Sequence, residues 1–190
     1  MPEAKAFFCT NCGKKLVVDI DKLLSTIEYA IDTKQYCKAE ELLLEAKMIS
    51  GEDYRIYYYR AKLELEYSDA DSLFKMLKKL QLLEKSQKEN EVTDAINELM
   101  KCKQNGNGAT MLHHATSQER FDMVVFCVEH GSDVNATYGA KTSPISVLLT
   151  PVQRGSIRDD GIPYRTKNEI KKIHQYLLEN GANERRRFWK

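Results

Sequence analysis

Gly108-Ala109-Thr110-Met111-Leu112-His113-His114-Ala115 decides how the whole chain folds. Thr110 precedes a short apolar run, where a hydroxyl can cap the free N–H groups of a helix starting at the next residue. Met123, Val124, Cys127 and Val128 then recur at the spacing of one apolar helical face. Gly131-Ser132-Asp133-Val134-Asn135 follows. Gly131 supplies the left-handed residue that ends a helix and that only glycine adopts without strain. The stretch therefore predicts a pair of short helices, opened by Thr110 and closed by Gly131. A step of 33 residues from Thr110 reaches Ser143-Pro144-Ile145, and a second closure stands at Gly181-Ala182-Asn183.

Two motifs in this order at this period resemble the ankyrin repeat, whose G-x-T-P-L-H-x-A element is met here with Met111 in place of proline, and whose G-A-D-V-N is met by residues 131–135. The resemblance implies stacked helical hairpins. It makes His113 a hydrogen-bonding residue that ties neighbouring repeats, and Cys127 a core residue at a usual leucine position. Partners of such repeats meet the loop tips and the inner face of the first helices. Carried over by position, those surfaces comprise Gln104, Asn107, His114, Gln118, Tyr138 and Lys141. The second repeat departs from the pattern. Ser146 replaces the histidine, and an insertion at about 150–165 carries Pro151, Gly155, Gly161 and Pro163. After it, Thr166-Lys167-Asn168-Glu169 reads as a capping box. Ile170, Ile173, His174, Leu177 and Leu178 follow at helical spacing, and Asn180-Gly181 stops the helix.

Upstream, residues 19–103 are helical in period. Ile27, Ala30 and Ile31 share one face, as do Ala39, Leu42, Leu43 and Ala46. Gly51 and Asp53 mark a break before a helix carrying Tyr57, Ala61 and Leu65. Ser68 to Asp71 mark a turn before Leu73, Leu77 and Leu80. A fifth helix is expected near Val92 to Cys102, with Ile96, Leu99 and Met100 inward, and the charged bridge from Glu84 to Glu91 is expected to be solvated. Of Tyr54, Tyr57, Tyr58 and Tyr59, about half are expected in the core, because four such positions cannot share one helical face. Ala39, Leu43 and Ala46, followed by Leu73, Leu77 and Leu80 at a step of 34, resemble tetratricopeptide-type repeats. Generic helical hairpins remain an equal reading. Two ankyrin repeats alone bury too little surface, so the preceding hairpins are expected to pack on them as one continuous solenoid.

Composition narrows the function classes. The 29 Lys+Arg and 28 Asp+Glu leave a net charge of +1, so no whole-protein field draws nucleic acid or an acidic membrane surface. The hydrophobic fraction of 42% suits a packed core, and 9 Gly with 4 Pro suit helices. No apolar run approaches membrane-spanning length, and no secretory signal is read at residues 1–16. A cytoplasmic chain with reduced thiols is the expectation. Among the five cysteines, Cys9 and Cys12 in Phe7-Phe8-Cys9-Thr10-Asn11-Cys12-Gly13-Lys14-Lys15-Leu16 resemble one knuckle of a zinc ribbon. Zinc needs about four ligands, so this is half a site. Three completions stay open. A second copy could donate the other pair, making a homodimer around shared zinc. A helix cysteine or a histidine of the same chain could complete the site. Or the knuckle is a remnant without metal. Cys37, Cys102 and Cys127 fall in helical segments.

The chain thus reads as all-α, a helical-hairpin solenoid with a tetratricopeptide-like part packed on two C-terminal ankyrin-type repeats. Its expected divisions are 1–18, 19–103 and 104–190. No catalytic constellation appears with a motif's spacing, including at His113-His114, where adjacent helical residues point apart. The expected function is a non-enzymatic scaffold or adaptor for a protein partner. The alternatives are nucleic-acid binding through the knuckle and the basic end Arg185-Arg186-Arg187-Phe188-Trp189-Lys190, which is disfavoured, and a small inhibitor or immunity-type protein.

Overall fold

The structure, a computed structural model, describes residues 7–8, 15–16, 19–67, 69–87, 90–104, 106–148 and 167–183. Among the described residues it is all-α but for a two-stranded ribbon. Strands β1 (Phe7–Phe8) and β2 (Lys15–Leu16) pair antiparallel, with Phe7 opposite Leu16 and Phe8 opposite Lys15. Helices α1 (Ile20–Asp32), α2 (Tyr36–Ile49), α3 (Tyr54–Tyr67), α4 (Ala70–Gln87) and α5 (Asn90–Leu99) follow. Then come α6 (Met111–Ser117), α7 (Phe121–Glu129), α8 (Pro144–Leu148) and α9 (Lys167–Glu179).

Ile20 and Tyr54 open α1 and α3, and Tyr36 and Ala70 open α2 and α4, a step of 34 in both cases. Local chemistry sets these starts. Asp19 caps α1 by accepting from the N–H groups of Asp21 (3.0 Å) and Lys22 (3.2 Å). Asp53 accepts from Arg55 N–H at 3.0 Å before α3, and Asp69 from Ser72 N–H at 3.1 Å before α4. Each cap is worth about 1 kcal/mol. The Arg55 guanidinium joins Asp53 to Asp21, so the entrances of α1 and α3 are tied together.

Two apolar clusters fill the interior. The first gathers Leu24, Ile27, Ala30 and Ile31 of α1, Ala39, Leu43 and Ala46 of α2, and Ile56 and Leu63 of α3. The second runs from α3 to the last turn, through Leu73, Leu77 and Leu80, Val92, Ile96 and Leu99, Met111 and Leu112, Val124 and Cys127, Ile145, Ile173 and Leu177. Each fully buried large aliphatic side chain contributes roughly 1.5–3 kcal/mol. The second cluster crosses from the upstream hairpins into the C-terminal ones without interruption, as the solenoid expectation requires.

Four expectations are corrected. The fifth helix ends at Leu99, so Cys102 lies beyond it, in irregular chain. The bridge expected from Glu84 is shorter, because α4 runs on to Gln87 and Glu84 is half-buried within it. Of the four tyrosines only Tyr58 is buried. The other three pack half-buried at the margin of the larger cluster, because the inward positions of α3 are taken by Ile56 and Leu63 toward one cluster and by Tyr58, Ala61 and Leu65 toward the other. Leu178 is exposed, one position past the buried Leu177. Thr166, the 150–165 insertion and the basic end 185–190 lie outside the described residues, as does the 9–14 segment with Cys9 and Cys12 that joins β1 to β2.

Candidate interaction site

α6 and α7 form a tight antiparallel hairpin, with α8 packed on α6 and α9 on α7. The stacking is held by a short polar relay centred on His113, itself only 2% exposed. Thr110 N–H donates to His113 Nδ1 at 3.1 Å, and the Thr110 hydroxyl lies 2.8 Å from the same nitrogen. Nε2 sits 3.2 Å from the carbonyl of Thr142, in the loop that opens the next hairpin. With donors at one nitrogen and an acceptor at the other, the partners assign the neutral Nε2–H tautomer. Burial pushes the ring's pKa down to about 4, against a smaller opposing effect of the Thr142 carbonyl.

The same design recurs one repeat on. Ser143 N–H donates to Ser146 Oγ at 2.8 Å, as Thr110 N–H does to His113. The serine hydroxyl also turns back to donate to the Ser143 carbonyl at 2.8 Å. At the far end of the hairpins, Asn135 Nδ2 donates to the Gly181 carbonyl at 2.9 Å and Asn183 N–H donates to Asn135 Oδ1 at 2.8 Å. The two closing glycines have φ of 83° and 86°, the left-handed values their positions demand.

The hairpin tips come together beside this relay. Tyr138 and Thr142 exchange backbone hydrogen bonds at 3.1 and 3.0 Å around a turn that holds Gly139 at φ 51° and Lys141 at φ 66°. Gly139 N–H donates to the Asn107 carbonyl at 3.2 Å, which joins one tip to its neighbour. Asn107 is exposed, and its Oδ1 accepts from Ala109 N–H at 2.8 Å. Lys141 is exposed, and Tyr138 is half-buried with its ring edge-on to His113 at 4.7 Å. Thus the structure gathers Asn107, Tyr138 and Lys141 into one edge.

The remaining sequence-derived residues sit elsewhere. His114 lies on α6, half-buried, with Nε2 enclosed and its pKa lowered by desolvation. Gln118 closes α6, its N–H donating to the His114 carbonyl at 3.0 Å. Gln104 is turned inward at 8% exposure. Its side-chain amide donates to the Glu66 carbonyl at 3.2 Å, joining the end of α3 to the tip. Its place before the repeat explains why position alone marked it as a contact residue. Sequence reasoning missed Gly139 and Thr142, although the short Tyr138–Lys141 turn beside a glycine was a readable hairpin signal.

Residues 107–136 match the ankyrin repeat family model. That span opens at the Asn107 tip and closes at the Asn135 loop. No curated protein matches the chain. Ankyrin repeats are generally protein–protein interaction modules. Among the described residues, no group of three His, Cys, Asp or Glu side chains gathers as a metal site, and no helix is long and apolar enough to cross a membrane.

Proposed function

We propose that the chain is a non-catalytic scaffold that binds a protein partner along the ankyrin edge formed by Asn107, Tyr138 and Lys141, with His114 and Gln118 on the adjoining helix. The observation that carries this reading is the pairing of two adjacent tips, Gly139 to Asn107, on a repeat whose buried side is already committed to holding the stack. A preorganised rigid edge loses little entropy on binding. Tyr138 also supports His113, so its removal mixes binding with stability. A cleaner variant is Asn107→Asp with Lys141→Glu. It keeps the acceptor for Ala109 N–H and reverses the tip's charge. A partner captured by the full chain from an extract of its source cells should be lost by about fivefold or more with this variant, the cost of one substantial contact. Equal capture at an unchanged melting temperature would sink the assignment.

The tetratricopeptide-like reading of α1–α4 is supported by the repeated step of 34 between helix starts. Zinc at Cys9 and Cys12 is supported by the antiparallel register of Phe7–Phe8 with Lys15–Leu16, which brings the two ends of the intervening segment together. Two thiolates are half a tetrahedral set, so the proposal is completion by a second copy's pair, with a metal-free remnant as the equal alternative. Metal analysis combined with mass in solution tests it, since one zinc per two chains is expected and a metal-free monomer would exclude it. The nucleic-acid alternative rests on Cys9, Cys12 and residues 185–190, all outside the described set.

A further inference from the structure

A cleft of about 230 Å³ opens between α2, α3 and α4, in the upstream hairpins and away from the ankyrin edge. Leu43 and Ile56 form its buried floor, and Leu44, Tyr57 and Met76 its walls. The two charged side chains of its lining, Lys47 and Arg60, are both cationic, and the Tyr57 hydroxyl donates to the Gly51 carbonyl at 2.8 Å. The volume is below the roughly 300–1,000 Å³ of small-molecule sites, so a cofactor is a poor fit and one large side chain a good one. The apolar surface does not stop at the cleft. Leu44 is 62% exposed and Met48, one helical turn on, is 60% exposed, so α2 presents a two-residue aliphatic ridge to water. Two large aliphatics a turn apart at such exposure are a feature of interfaces more than of solvated helices.

Charge identifies the occupant. The Arg60 guanidinium is engaged by the buried Glu64 carboxylate, and reaches Glu40 at 3.7 Å. Its charge is therefore met within the protein. Lys47 forms no ion pair with any described residue, and no carboxylate lines the cleft. The uncompensated charge at this apolar site is positive. We propose that the cleft docks an amphipathic segment of a partner protein, placing one large apolar side chain between Leu44, Tyr57 and Met76, a second over Met48, and a carboxylate on Lys47. This surface is separate from the ankyrin edge, so one partner on each would make the chain a bridge.

A random twelve-residue peptide library displayed on phage, panned against the full chain and counter-selected on Leu44→Ser, tests this. Leu44 is solvent-facing, so the variant should keep the wild-type melting temperature. Enriched peptides should carry two large apolar residues near an Asp or Glu. They should lose about tenfold or more in affinity on Leu44→Ser, and likewise on Lys47→Glu. Their binding should be indifferent to Asn107→Asp with Lys141→Glu, which separates this site from the ankyrin edge. No enrichment, enrichment without acidic residues, or binding to either cleft variant as tight as to the wild type would overturn the proposal. So would a dimer in sedimentation velocity that Leu44→Ser abolishes, because a second copy would then be the occupant.

Discussion

His113 carries two tasks that require it to be neutral. Its Nδ1 accepts from Thr110 and its Nε2–H donates to Thr142. Its folded pKa of about 4 lies below the unfolded value near 6.5. Between the two, the unfolded chain holds the proton and the folded chain does not. Stability should therefore rise with pH through this window, be fully present above about 6.5 and be lost as pH falls toward 4, by at most about 3 kcal/mol. Desolvation shifts His114 in the same direction. Urea midpoints measured from pH 7.5 to 5 should fall in the wild type and fall less in His113→Gln. That variant should also start about 1–3 kcal/mol less stable at pH 7. An unchanged slope would contradict the account. A second residue-scale test is Lys34, which follows α1 at φ 61° with its N–H on the Ile31 carbonyl at 3.0 Å. A left-handed non-glycine residue costs about 1–2 kcal/mol, and glycine returns roughly 0.5–1 in chain entropy. Lys34→Gly should raise the melting temperature by a few degrees, and a fall would show that the turn is not strained.

The joint between elements is polar as well as apolar. Thr93 of α5 donates to Glu84 of α4 at 2.7 Å, and His130, past the end of α7, faces both Glu84 oxygens at 3.3 Å. Its other ring nitrogen lies 2.8 Å from the Phe126 carbonyl. The carboxylate thus links the upstream helices to the ankyrin hairpin. A double-mutant cycle on Glu84→Gln and His130→Gln should show coupling of about 0.5–1.5 kcal/mol, because both side chains are less than a third exposed. Additive effects would mean that the elements merely touch. Nothing in the sequence announced this joint. A run of charges around Glu84 reads as solvated, and the two residues are far apart along the chain. The Thr110 cap and the closing glycines were more readable, since each acts on backbone groups a few residues away.

Taken whole, the molecule is a stack in which each hairpin leans on its neighbours, so opening is expected to proceed from an end. Among the described residues, the α1–α2 hairpin shares its smaller cluster with α3 alone, while α6 and α7 are covered by α8 and α9 and lie within the larger one. Hydrogen exchange should release α1 and α2 amides well before those of α6 and α7, and a common rate for all four would show a single cooperative unit instead. The sequence by itself determined the helical class, the 33- and 34-residue periods, the cap at Thr110 and the closures at Gly131 and Gly181, because these depend on neighbours within a few residues. Only the tertiary structure decided that Gln104 faces inward, that Tyr138 props His113, that one tyrosine of four is buried and that Leu44 and Met48 remain uncovered. Those outcomes depend on which side of a helix another element occupies, and no local pattern encodes that when a helix such as α3 is covered on two sides.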